Sequence, residues 1–179
     1  LAMKQARDAF DSVHALNVVQ LGTAREIYAA LMQTRVLLDS YQTDYNRLRV
    51  KPAKKTWAQA EATFDHAKQR LADLSPTGNP SSEQSRTNRD LQSRFQALID
   101  DGIQPGFDSL KAWDVSAYQA SVQRASDLTA ALDASLATLT AAANANAASG
   151  AEAMARNVRH LQLGLSATAA VTALLVLLA

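Results

Sequence analysis

The chain has 179 residues, a formal net charge of +1, 47% hydrophobic residues and 20% charged ones. That balance excludes the strong basic field of a nucleic-acid binder and the low hydrophobicity of a disordered chain. Cysteine is absent, which excludes disulfides, thiolate metal sites and cysteine nucleophiles; with only 6 glycines and 4 prolines, the composition favours an all-helical fold.

No cleavable signal pattern opens the chain, because Lys4, Arg7 and Asp8 interrupt its early apolar residues. From about Val13 to Arg49, the residues Leu16, Val19, Thr23, Ile27, Ala30, Thr34, Leu37, Tyr41, Tyr45 and Leu48 recur at steps of three and four. This spacing predicts one long helix with these residues on its packed face. The helix is expected to end at Val50-Lys51-Pro52, since the residue before proline avoids the helical region. A second helix is predicted from Pro52 to Leu74, packed through Trp57, Ala60, Phe64, Ala67, Leu71 and Leu74.

The run from Ser75 to Pro80 reads as a loop, and Ser81 with Gln84 as a capping box opening a third helix. Leu91, Phe95, Leu98 and Gly102 form its predicted core face. Pro105-Gly106 is expected to kink this helix before Phe107 and Leu110 resume the pattern, with the chain turning at about Trp113. Asp114 reads as the N-cap of a fourth helix. Its packed face is predicted to hold Tyr118, Val122, Ala125, Thr129, Leu132, Leu136, Leu139 and Ala143. The Ala-rich stretch from Ala141 to Ala151 reads as a thin stalk, and no break is expected between Asp114 and Ala179.

The stretch from Leu161 to Ala179 contains no charged residue. As a helix it would span roughly 28 Å at about 1.5 Å per residue, close to a hydrocarbon core of about 30 Å. The predicted architecture is therefore an up-down-up-down antiparallel four-helix bundle whose last helix continues into a transmembrane helix. Residues 1–160 form the extracytoplasmic bundle, and residues 161–179 begin the membrane span. A second span is expected before Leu1.

His14, His66 and His160 are scattered, and the Glu-x-x-His pattern of di-iron bundles does not occur. There is no phosphate-cradling glycine loop and no basic stripe interleaved with aromatics. The expected class is a binding protein, not an enzyme, with no cofactor, no metal and no nucleic-acid partner.

Leu31-Met32-Gln33-Thr34-Arg35-Val36-Leu37-Leu38 resembles the first-helix ligand segment of bacterial chemoreceptors of the enteric aspartate and serine receptor type. Thr56-Trp57-Ala58-Gln59-Ala60, Ser85-Arg86, Phe95-Gln96-Ala97-Leu98 and Ala117-Tyr118 are similar to segments of that family's second, third and fourth helices. The order and spacing agree over essentially the whole chain. The resemblance implies the sensor domain of a methyl-accepting chemotaxis protein. Such a domain is a periplasmic homodimer held in the inner membrane, with a small-molecule ligand bound at the dimer interface. Ligand would shift the fourth helix along the membrane normal.

Arg35 is the leading ligand residue. It flanks the core position Thr34, and a guanidinium in a dimer seam can grip a carboxylate through two parallel hydrogen bonds. An arginine on a long helix is by default solvated, and it is the resemblance that implies the ligand role. The positions matching the family's further serine and arginines hold Asp39, Ser40 and Asp44, so two cations are replaced by anions. A ligand with one carboxylate plus an amine, hydroxyls or a ring suits these charges better than a dianion. Larger acids would require Arg47, Arg86 or Arg89 to turn toward the site.

Tyr118 matches the family's fourth-helix tyrosine, though core packing explains it equally. Gln119, Ser121 and Gln123 follow it as polar candidates. Tyr41 and Tyr45 read first as core, with a place in the pocket wall as the other option. Two other readings fit the pattern. One is the sensor of a membrane histidine kinase. The other is a tail-anchored interaction protein facing the cytosol, which the positive flank Arg156, Arg159 and His160 favours.

Overall fold

The computed structural model describes residues 19–74 and 82–177, with the side chains of residues 82–85, 146, 153, 154 and 157–177 left outside the description. All its regular structure is helical. Helix α1 spans Leu21–Asn46 and α2 spans Val50–Asp73. Helix α3 covers Ser82–Ala97 and passes through a π-helical segment, Leu98–Ile103, into α4, Gln104–Lys111. Helix α5 runs from Val115 to Leu177. Ala15–Thr140 form one compact unit and hold every interhelical contact discussed below; α5 from Ala141 onward belongs to a second.

Neighbouring helices of the main unit run antiparallel. Glu26 of α1 pairs with His66 at 3.0 Å and Arg70 at 2.8 Å near the end of α2, while Tyr41 packs at a tilt against Trp57 near its start, ring centroids 4.7 Å apart. Along α5, Tyr118 meets Asp39 and Thr129 meets Arg35. Between α3 and α5, Ser135 reaches Asp90, and Gly102 lies against Ala125. The core is made by Ile27, Leu31 and Thr34 of α1, Phe64 of α2, Phe95 and Leu98 of the third rod, Leu110 of α4 and Leu132 of α5. Burying each large apolar side chain contributes about 1.5–3 kcal/mol.

The predicted faces of α2 and the third rod hold, with Leu91, Phe95, Leu98 and Gly102 all buried. Only Trp57 departs, being half-buried. The face of α1 drifts. Its buried stripe steps from Thr34 to Leu38, not to Leu37; Tyr45 is 43% exposed and Leu48 86% exposed. The predicted step of three from Thr34 falls on Leu37 at the edge of the packed face, which is half-buried, whereas the step of four reaches Leu38; Leu48 lies beyond the helix, which ends at Asn46. Val19, at its start, is also 41% exposed. Leu48 lies in the turn after α1 with φ of 57°, in the left-handed region. On α5, Val122 and Leu136 are half-buried while Ser121 takes a buried place.

Pro52 falls in the first turn of α2, where its missing N–H leaves no intrahelical bond unmade. Pro105 does not interrupt the third rod. The π-helical turn widens the backbone just before it, with the Gln104 N–H bonded to the Ile99 carbonyl, so the ring is accommodated without a break. The chain turns at Trp113, and the Asp114 carboxylate accepts a hydrogen bond from the Ala117 N–H at 2.9 Å, the predicted cap.

The expected loop from Ser75 to Pro80 and the Ser81 cap lie outside the described residues. So do the side chains of the expected membrane segment 161–179; its backbone is helical to Leu177. Among the described residues no helix is long and apolar enough to cross a membrane.

Candidate functional site

Thr34 faces inward on α1 and donates to the Ala30 carbonyl at 2.8 Å. One residue further, about 100° around the helix, Arg35 is half-buried at the seam with α5. Its Nη1 donates to Thr129 Oγ1 at 3.1 Å and to Met32 Sδ at 3.7 Å. Thr129 Oγ1 in turn donates to the Ala125 carbonyl at 2.7 Å, which fixes the hydroxyl with a lone pair toward the guanidinium. Among the described residues Arg35 forms an ion pair with no carboxylate. Asp39, four residues on, is directed elsewhere and accepts the Tyr118 hydroxyl at 2.5 Å.

Tyr118 is buried, and burial first, then the Asp39 hydrogen bond, raises its pKa well above the ordinary tyrosine value. It therefore stays a donor at every working pH. Ser121 is buried beside it and donates to the Tyr118 carbonyl at 2.7 Å. Arg35, Asp39, Tyr118 and Ser121 thus line one small space between α1, the π-helical segment and α5, closed behind by Gly102 and Gly106. That space measures about 20 Å³, room for a single water and not for an organic acid. Any ligand gripped by Arg35 must therefore lie on the outer side of the α1–α5 seam, or force the helices apart.

The remaining candidates do not converge there. Ser40, Gln119 and Gln123 are exposed, and Gln123 is bonded to Asp127 at 3.1 Å. Tyr41 joins Tyr45, Trp57 and Trp113 in an aromatic cluster where the α1–α2 and α4–α5 turns meet. Asp44 and Arg47 do not line the space. Arg86 lines a groove between α3 and α5, and Arg89 a surface it shares with Asp100 and Asp101. Thr129 was expected only in the core, yet its hydroxyl is the group that orients Arg35. Its signal in the sequence was a hydroxyl side chain between Ala125 and Leu132 on an otherwise mostly apolar stripe. Of the glycines behind the site, Gly102 was expected on the core face and Gly106 only as part of the Pro105-Gly106 kink.

A half-buried guanidinium beside hydroxyl groups in an interhelical seam has the chemistry to accept an anion, and the class compatible with such a bundle is a helical ligand-sensing module. A family model described as the Tar ligand binding domain homologue matches residues 1–147, and the chain belongs to that family. That family comprises chemoreceptor ligand-sensing domains. No curated protein and no solved structure gives a significant match.

Proposed function

We propose that this chain is the periplasmic sensor of an inner-membrane chemoreceptor. In this reading residues 1–160 form the extracytoplasmic bundle and residues 161–179 the beginning of a membrane helix. The sensor binds a small organic acid or amino acid where two copies meet. The observation that carries the reading is Arg35, a half-buried guanidinium held by Thr129 with no carboxylate partner among the described residues. A ligand carboxylate supplies what that cation lacks. Val36 beside it is 63% exposed, an apolar side chain suited to the seam of a homodimer.

Signalling in this reading is a shift of α5 against the rest of the bundle. Against the π-helical segment and α4 its contacts are small, Ala125 at Gly102 and Ser121 at Gly106, while Tyr118–Asp39 and Arg35–Thr129 hydrogen bonds join it to α1. A slide between packed positions in this reading exchanges those few hydrogen bonds. A ligand that binds one position tenfold more tightly than the other supplies about 1.4 kcal/mol toward the change. In this reading the movement is carried along α5, which runs from Val115 to Leu177.

Isothermal titration of the whole chain in detergent against a panel of amino acids and organic acids tests the reading. Removing a charge-assisted pair costs about 1.5–3 kcal/mol, so Arg35→Ala should weaken an identified ligand by about ten- to a hundredfold. Unchanged affinity in that variant refutes the site.

A further inference from the structure

An aromatic cleft lies at the tip where the α1–α2 and α4–α5 turns meet. Four rings gather there: Tyr41 and Tyr45 from α1, Trp57 from α2 and Trp113 from the last turn. They wall a cleft of about 370 Å³, floored by the buried Leu110 and flanked by Lys54 and Lys111. This lies in the usual size range of small-molecule pockets, roughly 300–1,000 Å³, and far exceeds the space beside Arg35.

The cleft is not merely the end of the core. Tyr45 keeps 43% of its surface exposed, and Tyr41, Trp57 and Trp113 are only half-buried. Trp113 reaches the cluster from a backbone φ of 53°, a left-handed conformation that bulky residues rarely adopt, so its indole is held in this wall against a local steric cost. The charges are one-sided. Lys111 Nζ lies 5.8 Å from the Trp57 ring centroid, and among the described residues neither Lys111 nor Lys54 pairs with a carboxylate. Asp108 and Asp114, hydrogen-bonded to the Gln104 amide and the Ala117 N–H, keep their charge but do not line the cleft, whose charged lining residues are Lys54 and Lys111.

We infer that this cleft binds a planar aromatic monocarboxylate, its ring against the solvent-facing indole and phenol surfaces that line the cleft and its carboxylate on Lys54 and Lys111. Aromatic faces attract the edge or offset face of another ring, and the ammonium groups select the anion. The site is separate from the Arg35 seam and does not depend on it.

Both tryptophans of the chain, Trp57 and Trp113, line this cleft, so intrinsic fluorescence reports on it directly. The test is a fluorescence titration of the whole chain in detergent with benzoate, and with cyclohexanecarboxylate and benzyl alcohol as controls lacking the ring or the charge. Benzoate should quench saturably and the controls should bind at least tenfold more weakly. Lys54→Gln with Lys111→Gln should weaken benzoate at least tenfold while leaving the helical circular dichroism unchanged, since both lysines are exposed. Arg35→Ala should leave benzoate binding intact. An absence of saturable quenching, equal binding of cyclohexanecarboxylate, or loss in Arg35→Ala with retention in the lysine variant overturns the assignment.

Discussion

Tyr118 shows how much a single side chain can hide from sequence reading. Its place on the α5 stripe predicted either packing or ligand contact, and it packs while donating to Asp39 across the seam. A raised folded-state pKa in a neutral acid means that its contribution to stability is complete below the ordinary tyrosine value of 10.0 and is lost progressively as pH rises above it. Spectrophotometric titration should find one tyrosine that fails to ionise with the others. Tyr118→Phe should cost about 1 kcal/mol in urea denaturation, because Asp39 is exposed and water can replace the lost donor. Arg35 was legible through the segment around it, whereas its Thr129 partner was not. Spacing along one helix carries no information about which hydroxyl of another helix lies opposite.

At the scale of elements, helix identity was legible and helix phase was not. The apolar pattern located α1, α2, the third rod and α5, and Asp114 and Trp113 marked a boundary correctly. The C-terminal half of α1 was misphased at one step, three residues from Thr34 to Leu37 where the packed face takes four to Leu38. The π-helical segment was unreadable, since it depends on how Pro105 is relieved within a packed rod and not on any residue preference. Close contact between the third rod and α5 depends on Gly102, where an added Cβ would lie 3.1 Å from Ala125 Cα. Backbone cannot step aside as a side-chain tip can. Gly102→Val should therefore destabilise the unit by about 1–3 kcal/mol in thermal or urea unfolding, despite the better helix propensity of the larger residue.

For the molecule as a whole, ion pairs tie the far end of the α1–α2 pair and make its stability sensitive to acid. Hydrogen bonds from Arg70, then His66, hold the Glu26 carboxyl below its ordinary value of 4.5. A depressed carboxyl contributes stability that is complete above 4.5 and disappears as pH falls through the lowered value. In Glu26→Gln the midpoint of urea unfolding should vary less with pH in that acidic window than in the unaltered chain. The bundle was legible because its four rods each carry a stripe; the tip cleft was not, because Tyr41, Trp57 and Trp113 come together only once two turns are closed. The π-helical turn finally ties the length of the chain to one proline. It accommodates a supernumerary residue, and Pro105 needs the wider backbone that this residue creates. Deleting Asp101 should restore ordinary helical winding, drive the pyrrolidine ring into the carbonyl of the preceding turn and cost about 3 kcal/mol. Made together with Pro105→Ala, the same deletion should be nearly silent, so the shortened helix is reachable only after the proline has gone.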